Sequence, residues 1–357
     1  MQLLFALSGF HRYDRGAEVA LLSVAEELAR QGVAVTVVGS GQEREDRAYD
    51  YVRIDAVARE NFEKFPSFPP LRSETAWEDL TFAFNLVRHV DPSHFDATVT
   101  CSFPFTHWAL RKNRSTRSKH IFVTQNGDWP SFSNKSEYRF FDCDGLVCIN
   151  PDYQERNRQR WNTALIPNGA DIAKFGNGTA DRQRWDLPAG VPIILMVSAF
   201  IATKRVSDAI DAVAMMDDAY LVVAGDGPLR DIVQDKADRM LPGRYKRLSL
   251  TADEMPALYA SADAFLHMSL LESFGNVFVE AMAAHLPVVG HDTPRLRWIV
   301  GDSEYLGDTR DSNVVKNLLE QALASNGRRR NPNVDRFAWA GIADQYRKFI
   351  EQMLYSG

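Results

Sequence analysis

The feature that most limits what this chain can fold into is a long alternation of short apolar runs with longer amphipathic ones. It begins at QLLFAL, passes through AEVALLSVAEELARQG and returns to VAVTVVG. In the middle run Ala17, Ala20, Leu21, Val24 and Leu28 recur at helical spacing and form one apolar stripe, and Gly32 suits the left-handed stop that follows. A strand, a helix and a second strand joined in this way close as a right-handed βαβ unit with parallel strands. ATVTCS, HIFVTQ, GLVCIN and TALIP continue the series. A polar, glycine-bearing stretch, GADIAKFGNGTADRQRWDLPAGVP, then reads as a linker. Beyond it come PIILMVSAF, a helix from about Val206 to Met216, AYLVVAG, RYKRLSL, DAFLHMS, a helix containing Glu280, and LPVVGHD. Strands that are apolar almost throughout are covered on both faces, so the chain is α/β and doubly wound.

With 357 residues the chain exceeds the size at which a single core keeps growing, and two domains are expected. The boundaries read as 1–168 and 169–337, two Rossmann-like sheets facing across a cleft. The last helix, 338–357, has Ile342, Tyr346, Phe349, Ile350 and Met353 on one stripe and needs a surface to cover, expected on the first domain. From Glu60 to Glu78 prolines and aromatics break the rhythm, which reads as a long loop with a functional role.

A formal charge of −6 argues against a general nucleic-acid binder. One basic cluster stands out, Arg111, Lys112, Arg114, Arg117 and Lys119, chiefly a solvated turn but also a place for an anionic partner or a peripheral membrane contact. Cys101, Cys143 and Cys148 have no metal-ligand spacing, and any pairing leaves one over. Without an apolar run of spanning length or a basic leader, the expected location is cytoplasmic, including the inner face of a membrane.

Open parallel sheets bind ligands at the carboxyl ends of their strands, where helix N-termini favour anions. Four loops hold that position. They are SGFHRYDRGAE with His11 and Gly16, VSAFIATKRVSD with Lys204 and Arg205, AGDGPLR with Gly225, and MSLLESFGN with Glu272. In LESFGNVFVEAM, Gly275 and Asn276 open a helix that contains Glu280. A carboxylate holds a vicinal diol well because each oxygen accepts one hydroxyl. From spacing alone, a capping role for Glu272 and a surface role for Glu280 are the favoured reading of the pair.

The order of these loops resembles the family-four retaining glycosyltransferases of GT-B architecture. The matching pieces are RGAEVALLSVAEELARQGVAVTVV, IPNGAD, the KR loop, AGDGPLR, SADAFLHMSLLESFGNVFVEAMAAHLPVVGHD and IVGD. The resemblance implies that Glu280 holds the ribose of a nucleotide-sugar donor and that Glu272 contacts the transferring sugar. The amides of Phe274, Gly275 and Asn276 would lie near sugar or phosphate. Lys204 would neutralise the diphosphate, Gly16 would admit phosphate or acceptor, and Asn168 with Gly169 matches an interdomain NG pair. It further implies an N-terminal acceptor domain and a C-terminal donor domain. The reaction expected is metal-independent sugar transfer without a resident cofactor to a carbohydrate, lipid-linked or small-molecule acceptor.

Two positions depart from the family pattern. Ala199 stands where an arginine is usual, and Arg205 is the residue that could supply the charge. Gln125, Asn126 and Asp128 stand where a histidine is frequent, which makes them acceptor-side candidates and leaves Asp128 or His11 as the basic group. Asp142-Cys143-Asp144 has the form of a metal-binding DxD but directly precedes a predicted strand, and it reads as a false match. Two further functions fit the same residues: a nucleotide-sugar epimerase of similar fold, and a nucleotide-sugar-binding protein without catalysis.

Overall fold

The computed structural model describes residues 1–68, 70–111, 118–125, 141–325 and 328–355. The chain divides into two compact units, Met1–Asn168 with Trp339–Gly357, and Gly169–Ala338.

In the first unit the strands are β1 (Gln2–Ala6), β2 (Ala34–Gly39), β3 (Asp50–Arg53), β4 (Ala97–Cys101), β5 (Lys119–Val123), β6 (Gly145–Cys148) and β7 (Thr163–Leu165). They form one sheet in the order β3-β2-β1-β4-β5-β6-β7, parallel at every pairing. Chain order reverses between β1 and β4, which opens a crevice at their carboxyl ends. The helix Gly16–Arg30 packs its predicted stripe inward, with Ala17, Ala20, Leu21, Val24 and Leu28 all buried. The helix Trp339–Tyr355 lies against it and buries Ile342, Tyr346, Phe349, Ile350 and Met353. Each such aliphatic or aromatic side chain removed from water stabilises the unit by about 1.5–3 kcal/mol before entropy is counted.

The second unit repeats the plan with β8 (Ile193–Val197), β9 (Tyr220–Ala224), β10 (Tyr245–Leu248), β11 (Ala264–His267), β12 (Val288–His291) and β13 (Tyr305–Gly307). Their order is β10-β9-β8-β11-β12-β13, again parallel, and the reversal falls between β8 and β11. The core on one face joins Ile194, Met196, Val223, Leu266 and Val289 to Ile210, Val213 and Leu319 of the covering helices.

Two expectations are corrected. The stretch from Glu60 to Glu78 is not one long loop: it holds a 3₁₀ turn, Arg59–Phe62, and the helix Glu74–His89 starts inside it. The start is a side-chain cap, since Ser73 Oγ accepts from the Ala76 amide at 3.3 Å and satisfies a first-turn donor. The expected linker is also structured. It contains the short helix Ile172–Gly176 and a 3₁₀ turn, and Trp185 and Leu187 are buried within the second unit.

Among the described residues no helix is long and apolar enough to cross a membrane. Cys101, Cys143 and Cys148 are buried and unbridged. Asp142 and Asp144 are occupied separately: Asp142 pairs with Arg111 at 2.9 Å, and Asp144 accepts from the His120 amide at 2.7 Å.

Candidate active site

The second unit gathers its predicted residues at the crevice between β8 and β11. The loop after β8 ends in a 3₁₀ turn, Ala202–Lys204, which presents Lys204. The loop after β11 brings back Glu272, and Lys204 Nζ donates to its Oε1. His267, the last residue of β11, donates from Nε2 to the same oxygen at 2.8 Å. Burial by itself would raise the Glu272 carboxyl, but His267 and then Lys204 outweigh it and hold the group down at about 2. Glu272 is therefore an ionised, oriented carboxylate and not a helix cap.

The helix Asn276–Ala283 begins after Gly275, whose φ of +81° is a left-handed conformation. A Cβ there would meet Phe278 Cδ2 at 2.7 Å, so glycine is required by both conformation and space. In its first turn the Phe278 amide donates to the Gly275 carbonyl at 3.0 Å, and the start of the helix carries the positive end of the helix dipole. Phe274 is 2% exposed and packs edge-on against Phe337 at 5.7 Å, anchoring the loop. Arg295 Nη1 donates to the Glu272 carbonyl oxygen and fixes its other side.

Glu280 faces inward. Tyr259 Oη donates to its Oε2 at 2.8 Å, and Oε1 has no donor among the described residues. Burial pushes the Glu280 carboxyl up, and the tyrosine bond offsets this only in part. Gly225, at φ +151°, lies where a Cβ would be 2.0 Å from the Ser198 carbonyl oxygen, so the loops after β8 and β9 touch backbone to backbone.

Arg205, the residue that could supply the charge absent at Ala199, is engaged within the fold. Its Nε reaches Asp208 at 2.6 Å, Nη1 the Met268 carbonyl at 3.3 Å and Nη2 the Thr309 carbonyl at 3.1 Å, so the guanidinium holds loops together.

In the first unit Gly16 opens the helix Gly16–Arg30, and a Cβ there would meet nothing within 4 Å. His11 is reassigned. Its Nδ1 donates to the Gln42 carbonyl at 3.2 Å, so Nε2 accepts from Tyr49 Oη at 2.7 Å, while the ring stacks on Tyr51 at 3.9 Å. Desolvation first, and Arg44 second, lower its pKa to about 4. A histidine with both nitrogens engaged is a packing element rather than a base. Gln125 is likewise spent: its amide and that of Asn168 exchange hydrogen bonds of 2.7 and 3.0 Å. Asn126, Asp128, Lys112, Arg114 and Arg117 lie outside the described residues.

Sequence reading missed His267, Tyr259 and Arg295. The signal for His267 was a polar residue ending an apolar strand in DAFLHMS, five residues before Glu272. Tyr259 and Arg295 left no such mark.

Two doubly wound parallel sheets, with a lysine, two carboxylates and a glycine-opened helix at the crevice of the second, define a glycosyltransferase of the GT-B class. The description "Glycosyltransferase Family 4" matches residues 15–174, and "Glycosyl transferases group 1" matches residues 178–334. The chain belongs to the family-four glycosyltransferases. It is 33% identical to a GDP-mannose-dependent alpha-mannosyltransferase of Mycolicibacterium smegmatis, covering 82% of this chain and 80% of that protein. It is 29% identical to the lipopolysaccharide core biosynthesis glycosyltransferase LpsE of Rhizobium meliloti, over 64% of this chain and 69% of that one. A crystal structure of a glycosyltransferase from Rickettsia africae superposes with a TM-score of 0.78 at 14% identity, covering 100% and 99% of the two chains.

Proposed function

We infer that this glycosyltransferase moves a hexose from a nucleoside diphosphate sugar to an acceptor hydroxyl with retention of configuration, and that it does so without a bound metal or resident cofactor. The observation that carries this reading is the placement of Lys204 and Glu272 on loops that follow adjacent strands at the sheet's reversal point. In this reading the diphosphate lies over the Asn276–Ala283 helix start and draws Lys204 to itself. Leaving-group charge is then met by the ammonium and the helix amides, which supports departure without a cation. Glu272 Oε2 accepts a hydroxyl of the transferring sugar, and its negative charge favours the oxocarbenium-like carbon. Glu280 accepts the ribose diol through Oε1, with Tyr259 fixing its other oxygen. The Gly225 loop borders the nucleotide, and Gly16 leaves open space for the acceptor or phosphate. Retention follows from the family resemblance.

For the acceptor, a carbohydrate on a lipid carrier fits best. The first unit exposes Phe65, Phe68 and Phe84, and Arg88 lies 4.2 Å over the Phe84 ring. Apolar rings beside cations suit a membrane face, and the LpsE relative is named for lipopolysaccharide core biosynthesis.

The test is nucleoside diphosphate release from GDP-mannose and UDP-glucose across an acceptor panel, with and without EDTA, followed by NMR of the product anomer. Transfer in EDTA with the donor's anomeric configuration is expected. Inversion, or full loss of turnover in EDTA restored by Mg²⁺, overturns the corresponding part.

A further inference from the structure

Glu272 receives two donors on one oxygen. His267 Nε2 and Lys204 Nζ both reach Oε1, and Oε2 has no donor among the described residues. The two donors differ in what else they can do. The Lys204 side chain is 25% exposed on a flexible stem, so it can turn to a second anion. His267 is 2% exposed, lies 4.8 Å edge-on from the Phe278 ring and 6.3 Å from the stacked Phe265 ring, and cannot turn. Its Nδ1 is buried without a partner, so the bond to Glu272 is the ring's whole hydrogen-bonding role. An orphaned buried nitrogen costs stability, which argues that the other nitrogen's bond is worth keeping.

We propose that His267 is a positioning residue for Glu272, the fixed donor that holds the carboxylate in place when Lys204 leaves it for the donor diphosphate. This rests on the reading of the site as a nucleotide-sugar site. A diphosphate carries more charge than one carboxylate and competes for the ammonium. Once Lys204 has turned, Glu272 is a partly buried acid with one carboxylate hydrogen bond left, from His267, while Arg295 donates to its main-chain carbonyl. That bond keeps the acid ionised and keeps Oε2 directed at the sugar. The groups facing Glu272 from the packed elements are thus Lys204 from the loop after β8, His267 from β11 and Arg295 from the helix Pro294–Val300.

Two variants separate positioning from packing. His267→Phe keeps a ring but no donor, and His267→Gln puts an amide N–H near the place of Nε2. With GDP-mannose or UDP-glucose, whichever the wild type turns over, His267→Phe is expected to lower kcat about tenfold or more while donor KM stays within about twofold. Its acid limb of kcat moves to higher pH, and His267→Gln recovers most of the rate. In a Glu272→Gln background the phenylalanine costs little more, as coupled residues should. Unchanged kcat and acid limb in His267→Phe, a glutamine variant that folds but is no better, or full additivity with Glu272→Gln each overturn the proposal. A readout independent of turnover is the ¹⁵N spectrum of the imidazole in the ligand-free protein, assigned with His267→Gln. A proton on Nε2, shifted in Glu272→Gln, supports the proposal, and a proton on Nδ1 alone overturns it. A wild type that neither turns over these donors nor binds GDP or UDP overturns the site reading, whatever the imidazole shows.

Discussion

Tyr259 Oη donates to Glu280 Oε2 at 2.8 Å, the one hydrogen bond among the described residues to a carboxylate that burial pushes toward its protonated form. Tyr259→Phe removes the donor and almost no volume. Donor-nucleotide affinity should fall by about 1 kcal/mol, a factor near 5, with the melting temperature little changed. Because Glu280 must be ionised to accept a diol and its pKa is raised, affinity in the wild type should weaken as pH drops through that pKa. The phenylalanine variant should weaken at a higher pH. Calorimetric titration of GDP and UDP from pH 7.5 to 5 checks both.

Glu280→Ala and Glu272→Ala should fail differently. The first loses the diol contact and should raise donor Kd about tenfold or more, with kcat at saturation less affected. The second removes the acceptor at the sugar and should depress kcat about a hundredfold with near-normal nucleotide binding. Steady-state kinetics beside nucleotide binding separate them, and matching profiles for the two would sink the division of labour.

Substitution at His11 should alter stability rather than chemistry. His11→Phe leaves the Tyr49 hydroxyl buried without its acceptor, a loss of about 1–3 kcal/mol, while the pH profile of kcat should keep its shape. Denaturant unfolding and a pH series of rates decide this.

The first unit carries an acid sensitivity of its own. Burial lowers His107 to about 3 and His120 to about 4, as it does His11, all below the unfolded value of 6.5. Between those limits the unfolded chain binds more protons, so this contribution is full above pH 6.5 and is lost as pH falls through the folded values. Asp79, buried where it accepts from the Phe105 and Thr106 amides and pushed up to about 7, has the opposite sign: its contribution is full near pH 4 and lost as pH rises to 7. His107→Gln should flatten the fall of melting temperature between pH 7 and 4.5, and Asp79→Asn should steepen it. The slope is the measurement, since both variants also change the absolute value.

Gln125→Ala should cost about 1–3 kcal/mol, because it removes the two hydrogen bonds that Gln125 exchanges with the Asn168 amide. Chemical unfolding gives the value; a loss of rate without loss of stability would instead return Gln125 to the acceptor side.

Periodicity was enough to place β1, β2, β4 and β8 and the stripes of the helices at either end, since each is decided by which residues must leave water. β3 and β13 escaped because DYVR and YLG are short and none of their residues is fully buried. The start of the helix at Glu74 escaped because prolines upstream masked a one-residue signal, Ser73. At the site, the loop order located Lys204, Glu272 and Glu280. What it could not supply is how side chains are spent. Arg205 and Gln125 look available in sequence and are bound in the fold, whereas His267 looks like strand filler and holds the central carboxylate. Such assignments depend on residues brought together from distant positions, as with Arg205 and Thr309.

The helix Trp339–Tyr355 covers Gly16–Arg30 and belongs to the first unit, although the whole second unit is translated between them. On the ribosome the opening βαβ unit, complete at Gly39, therefore waits with an apolar face uncovered while about 300 further residues emerge before Trp339, on the order of fifteen seconds or more of synthesis. The nascent first unit is thus the species a holdase chaperone should meet, and the second unit can fold before the first is closed.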